Sequence, residues 1–208
     1  MIKMPVHDLE GRVKEEIELQ GEVFGLPSNL AVVHQAVVRH LANRRLGTAS
    51  ARTRGEVEGS NRKLFPQKHT GRARAGGRRA PGRYGSGKAF GPKPRDYHQR
   101  MPKKMRRLAI KCALSDKLRG GEMVVISDLD LQPRTREMEQ VLERLGVGGS
   151  ALVVTQKAEP GVVRAARNLP SIKTLPAPLL NAYDILKHEK LVMTVEAVRQ
   201  AEALWGRK

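Results

Sequence analysis

Along the chain, apolar residues fall into short runs and helical spacings, with one long interruption in the middle. The opening runs MIKMPVHD and RVKEEIELQ mix apolar and polar residues around Leu9-Glu10-Gly11 and predict a pair of strands. Ser28 predicts a helix N-cap. Leu30, Val33, Val37 and Leu41 then recur at helical spacing, up to Arg44 and Arg45, whose charges suit the negative end of a helix. The pattern resumes at Pro102, a residue suited to the first position of a second helix. Met105, Leu108, Cys112 and Leu118 trace its apolar face, among Lys103, Lys104, Arg106, Arg107 and Lys111.

From there the chain alternates regularly. Met123–Ile126, Ala151–Val154, Ile172–Leu175 and Leu191–Met193 predict strands. Between and after them, Thr135–Leu145, Val162–Leu169 and Tyr183–His188 predict helices, and Thr194 caps a last helix to Leu204. Continuous apolar strands separated by amphipathic helices indicate a parallel sheet covered on both faces. The expected fold is α/β: a three-layer α/β/α domain with a mostly parallel central sheet and a long extended basic loop inserted after the first helix. Residues 1–46 and 102–208 are expected to form that single domain, and 47–101 an extended arm.

Charge sharpens the interruption. The 208 residues carry 39 Lys/Arg against 21 Asp/Glu, a formal charge of +18. Between Arg44 and Arg107 there are 20 Lys/Arg against three acids, Glu56, Glu58 and Asp96, while the rest of the chain is nearly neutral. The stretch Gly47–Met101 has ten Gly, four Pro and only scattered apolar residues without a period. It cannot offset its ordering entropy by burying apolar surface, so it is expected to order on a partner. A charge of this size points to a polyanion. No run approaches the roughly 20 apolar residues needed to span a bilayer, and the N-terminus lacks the apolar core of a signal peptide. A membrane is therefore not the expected partner. One cysteine, Cys112, excludes an internal disulfide and is expected to be a small core residue in a reducing compartment.

Few motifs carry catalytic chemistry. Gly82-Arg-Tyr-Gly-Ser-Gly-Lys88 has the spacing of a phosphate-binding P-loop. However, Ala89 stands where the Mg²⁺-binding hydroxyl belongs, and Phe90-Gly-Pro-Lys-Pro cannot begin the required helix. The six histidines lie in no metal-ligand spacing. Neither a cofactor, a metal nor a small-molecule substrate is expected, and the chain is not expected to be an enzyme. Arg forks bind phosphate bidentately, Gly lets backbone approach RNA, and Tyr84, Phe90 and Tyr97 can stack on unpaired bases. RNA is favoured over duplex DNA because no recognition helix lies in the basic zone. An RNA-modifying enzyme and a DNA-compacting protein stay open as rivals at this level.

Particular residues go further. Arg44-Arg45-Leu-Gly-Thr-Ala-Ser-Ala-Arg52-Thr-Arg54-Gly-Glu-Val, then Gln67-Lys68-His-Thr70-Gly71-Arg72-Ala-Arg74, then Phe90-Gly-Pro-Lys-Pro-Arg95-Asp-Tyr97 resemble the arm of the ribosomal protein L-four family. Arg167-Asn-Leu-Pro170 and Leu180-Asn-Ala-Tyr-Asp-Ile-Leu186 resemble its C-terminal signatures, in the family's order. The resemblance implies a cytoplasmic ribosomal protein whose arm threads large-subunit (23S-type) rRNA. Its partners would also include neighbouring large-subunit proteins and the nascent peptide. The expected rRNA-binding residues are Arg44, Arg45, Arg52, Arg54, Arg62, Lys63, Lys68, Arg72, Arg74, Arg78, Arg79, Arg83, Lys88, Lys93, Arg95, Lys103 and Lys104. The resemblance sets Lys68, His69, Thr70, Gly71 and Arg72 at the wall of the peptide exit tunnel. Two departures stand out: His69 where many members have Gly, and Arg83 and Lys88 in a stretch that is apolar and Gly-rich in the family.

Overall fold

The computed structural model describes residues 2–129 and 132–206; Met1, at the start of the first predicted strand, lies outside them. Six strands make one sheet: β1 (Ile2–His7), β2 (Val13–Leu19), β3 (Met123–Ile126), β4 (Ala151–Thr155), β5 (Ile172–Pro176) and β6 (Lys190–Thr194). Their order is β2-β1-β3-β6-β4-β5, parallel throughout except for the antiparallel β1–β2 hairpin. The helices are α1 (Gly21–Phe24), α2 (Leu30–Arg44), α3 (Lys103–Arg119), α4 (Thr135–Arg144), α5 (Pro160–Ala166), α6 (Ala182–Lys187) and α7 (Val195–Trp205). The mostly parallel α/β fold expected from the periodicity is present.

Strand alternation sends neighbouring residues to opposite sides, so each central strand feeds two cores. Leu152, Val154, Leu191 and Met193 enter a cluster with α1, α2, α3, α6 and α7. Ala151, Val153 and Val192 enter a second cluster with α4 and α5. The hairpin departs from the expected two-sided cover. Met4, Val6, Ile17 and Leu19 are buried, while Lys3, Pro5, Glu16 and Glu18 are exposed, the half-solvated pattern usual for antiparallel strands.

β1 and β3 are adjacent and parallel, pairing Val6 with Val125 and His7 with Ile126. Everything between β2 and β3, including the basic stretch, is therefore one long crossover. Its returning helix α3 buries Ala109, Ile110, Cys112, Ala113 and Leu114. Ser115, fully buried, accepts the Leu26 N–H at 3.1 Å and donates to the Lys111 carbonyl at 2.9 Å. Cys112 is buried as expected, its Sγ 3.6 Å from the Pro27 carbonyl oxygen.

Several local expectations shift. Asn29, not Ser28, caps α2: its side chain accepts the Val32 N–H, while the Ser28 hydroxyl donates to Asp116. Val33 and Ala36 form the buried stripe of α2, whereas Leu30 and Leu41 are exposed. The one-turn α1 was not predicted; four residues are too few to carry a period. Pro102 stands just before α3 instead of inside it. Thr194 does cap α7, accepting the Ala197 N–H at 3.2 Å.

The C-terminal half is fixed by a buried carboxylate. Asp184 lies on α6, 3% exposed. It accepts from Lys173 of β5 at 2.7 Å and from Asn181 at 2.8 Å. Burial pushes its carboxyl up, but the hydrogen bonds from Lys173 and Asn181 and the charges of Lys173 and His40 outweigh that and hold it below the ordinary value of 3.8. A depressed carboxyl stabilises the fold fully above its unfolded pKa and loses that contribution as pH falls through the folded one. Asp184→Ala should thus cost about 1–3 kcal/mol at pH 7 by urea denaturation, and the gap from the parent should shrink as pH falls below 3.8. A gap that does not change with pH would show that the charge of Asp184 contributes nothing.

Candidate nucleic-acid interface

The chain divides into two compact units, Met1–Leu41 with Arg100–Lys208, and Ala42–Gln99. In the second unit, past the end of α2, there is no helix or strand, yet backbone pairing gives it a definite course. Arg95 N–H donates to the Gly47 carbonyl, Ala51 N–H to Pro92, Lys88 N–H to Arg52 and Leu64 N–H to Gly76. Lys63 and Gly77 form one antiparallel bridge. The partners nest inside one another, so the segment runs out and back as two lanes. The reversal falls within 65–75, where His69 and Gly71 both adopt left-handed backbone, φ 65° and 63°. Lys68, His69, Thr70, Gly71 and Arg72 thus occupy the turn of the hairpin.

The two lanes are joined by charge and rings in place of a core. At the base, the guanidinium carbons of Arg45 and Arg95 lie 3.9 and 4.5 Å from the centre of the Tyr97 ring, cation–π contacts from the two lanes. A hydrogen bond from Arg95 and the charges of Arg95 and Arg45 hold the Tyr97 phenol below its ordinary value of 10. Gly47 touches the same place with φ 65°; a Cβ there would overlap the Arg95 carbonyl oxygen and press on Tyr97. Asn43 and Gln99 exchange hydrogen bonds beside it. Further along, Lys93 pairs with Glu56 at 2.6 Å, and this bond, then the Thr53 N–H, lowers the Glu56 carboxyl below its usual range.

The expected RNA contacts divide accordingly. Arg52, Arg54, Arg62, Lys68, Arg72, Arg74, Arg78, Arg83, Lys88, Lys103 and Lys104 are all exposed. Arg44 is exposed at the end of α2. Arg45, Lys63, Lys93 and Arg95 are exposed but also bind within the hairpin, to Tyr97, Gln67, Glu56 and Tyr97 respectively. Arg79 is half-buried and donates to the Gly59 carbonyl, so it is a lane-to-lane tie. The rings divide too: Tyr84 and Phe90 are fully exposed, while Tyr97 is the base clasp. Sequence reasoning missed that clasp because its partners are some 50 positions apart and nothing local links them.

The P-loop spacing at Gly82–Lys88 forms no phosphate cradle. Ser86, Gly87 and Lys88 N–H groups donate to the Arg83, Arg79 and Arg52 carbonyls, leaving none of the three to meet a phosphate. Among the described residues no cluster could hold a metal, and no helix is long and apolar enough to cross a membrane.

In the globular unit, α3 begins with Lys103, Lys104, Arg106 and Arg107, without an acid in its first turn or a side-chain cap. Cations at the positive end of a helix oppose its dipole, so an anion bound there would relieve the repulsion. Arg106, together with Arg39 of α2, was absent from the expected contacts; both line a cleft in this unit.

A profile of the ribosomal protein L4/L1 family matches residues 17–204. The chain belongs to this family. A relative described as large ribosomal subunit protein uL4 from Dehalococcoides mccartyi is 49% identical over 208 residues, covering 100% of this chain and 99% of its own. One of the same description from Thermoanaerobacter sp. is 48% identical over 207 residues, 99% and 100% of the two chains. Another, from Desulforudis audaxviator, is 49% identical over 198 residues, 95% and 96%. Membership in the L4/L1 family makes the chain a ribosomal structural protein and not an enzyme, which removes the RNA-modifying alternative.

The base clasp gives a direct test. Gly47→Ala should open the two lanes at Arg95 and Tyr97, so limited proteolysis should cut within 45–99 markedly faster than in the parent. Unchanged cleavage would mean that the close approach at Gly47 does not hold the hairpin.

Proposed function

We propose that the chain is a structural constituent of the large ribosomal subunit that binds 23S-type rRNA mainly through the arm 47–101. On this reading residues 1–46 and 102–208 fold as one domain. The Lys68–Arg72 turn lines the nascent-peptide exit tunnel, and neighbouring ribosomal proteins and the nascent peptide are the other partners. The observation that carries it is a net charge of +17 between Arg44 and Arg107, most of it on a hairpin whose cations are largely exposed and whose backbone groups pair across a narrow double lane. Such a hairpin is thin enough to enter crevices of a folded RNA, where Arg and Lys neutralise phosphates and release counterions. The nearly neutral remainder and its large core supply a rigid mount. The match of the whole chain to bacterial uL4 proteins supports the same assignment.

The decisive experiment replaces Thr48–Arg100 with a short linker. No residue of either hydrophobic cluster lies in that span, so the variant should keep one cooperative melting transition. It should also wash off the large subunit in high salt, where the parent stays bound. Loss of cooperative melting would end the one-domain reading, and full retention on the subunit would end the arm-centred one. Binding of the parent to a large-subunit rRNA fragment should weaken steeply with salt, and Arg72→Gln/Arg74→Gln should lower the log–log slope by about 2. For the tunnel assignment, a photoreactive residue at Thr70 should cross-link to a stalled nascent peptide; cross-links to rRNA alone would place the turn elsewhere.

A further inference from the structure

In the globular unit, α2, α3 and the segment Pro178–Tyr183 enclose a cleft of about 330 Å³. Its floor is apolar: Ala36, Ile110, Leu180 and Trp205 line it and are all buried. Its rim is basic, with Arg39 from α2 and Arg106 from α3. On one wall His40 stacks on Tyr183, ring centroids 4.7 Å and planes 12° apart. No acid is among the residues that line the cleft, and Asp184, next to Tyr183 in sequence, is engaged by Lys173 and Asn181.

An apolar floor with a basic rim suits a group that is weakly polar at one end and anionic at the other. Clefts that take small ligands run from about 300 to 1,000 Å³, and this one lies at the bottom of that range. It can hold a group about the size of a single nucleotide. Proteins read RNA chiefly at bases splayed from the stack, set against rings and apolar side chains, with Arg on the phosphate. We propose that this cleft takes one unstacked nucleotide of the bound RNA, its base against Ala36, Ile110 and Trp205 and its phosphate held by Arg39 and Arg106. The inference rests on the RNA-binding reading above. It adds to the sequence-tolerant grip of the arm a site that responds to a base, and so to the local RNA structure that can extrude one.

The chain has one tryptophan, and it lines this cleft, so its fluorescence reports occupancy directly. The full-length protein would be titrated with a short oligoadenylate RNA and with an abasic oligonucleotide of equal length and charge. A large-subunit rRNA fragment would be titrated alongside. The base-carrying oligonucleotide should change Trp205 emission saturably and bind about tenfold tighter than the abasic one. Arg39→Gln/Arg106→Gln should shift the Trp205 titration to several-fold higher concentration, whereas Tyr84→Ala/Phe90→Ala on the arm should leave the Trp205 response in place. Equal binding of the two oligonucleotides, or a Trp205 signal indifferent to both, would overturn the proposal. If the rRNA fragment binds while Trp205 stays silent, the cleft proposal alone falls; if the fragment does not bind, the RNA-binding reading falls with it.

Discussion

Repulsion among crowded cations is the constraint on which the rest of this molecule depends. Twenty Lys and Arg lie within about a third of the chain, and like charges repel one another over a Debye length of about 8 Å at physiological salt. That stretch has almost no apolar surface to bury in return. The chain answers with local devices: the Lys93–Glu56 pair, two guanidiniums on the Tyr97 ring, and Arg79 turned onto the Gly59 carbonyl. These tie the lanes together but offset little of the charge. Most of it faces outward, where a phosphate backbone is the natural counterion.

A stretch tied by so few contacts of its own depends also on the helices at its two ends. The crossover between the parallel neighbours β1 and β3 provides both holds, in α2 and α3. The second is the firmer, since α3 sinks Ala109, Ala113 and Leu114 into the core and ties Ser115 to the backbone after α1. The first turns of α3 expose four cations at the wrong end of the helix dipole. The fold accepts that local cost because the helix is secured by packing further along.

The sheet is completed late. β6 inserts between β3 and β4, so the two central neighbours of the finished sheet meet only once the C-terminal strand is in place. The α6 connection that brings it there is pinned by Asp184, whose hydrogen bonds to Lys173 and Asn181 more than offset its burial. The same connection, through Leu180 and Tyr183, lines the cleft beside α2 and α3. One segment therefore serves both the fold and a concave basic surface that the arm does not contain.

Periodicity and composition by themselves determined most of the architecture and the location of the charge. The strands β3, β4 and β6 carry continuous apolar runs, Met123–Ile126, Ala151–Val154 and Leu191–Met193, because both of their faces are covered, and a basic stretch without period cannot be a core. The motifs around Arg44–Arg54, Gln67–Arg74 and Phe90–Tyr97 further gave the family resemblance, which the match over residues 17–204 bears out. Tertiary structure alone decided what depends on residues distant in sequence. It set the place of β6, the open face of the β1–β2 hairpin and the buried stripe of α2 at Val33 and Ala36. It also turned Arg45, Arg79 and Arg95 partly inward and gathered Arg39, Arg106 and Trp205 around one cleft. The physical reason is common to all of these. A local pattern records which residues prefer water, but which partner meets each one is settled only when the long crossover brings its two ends onto the same sheet.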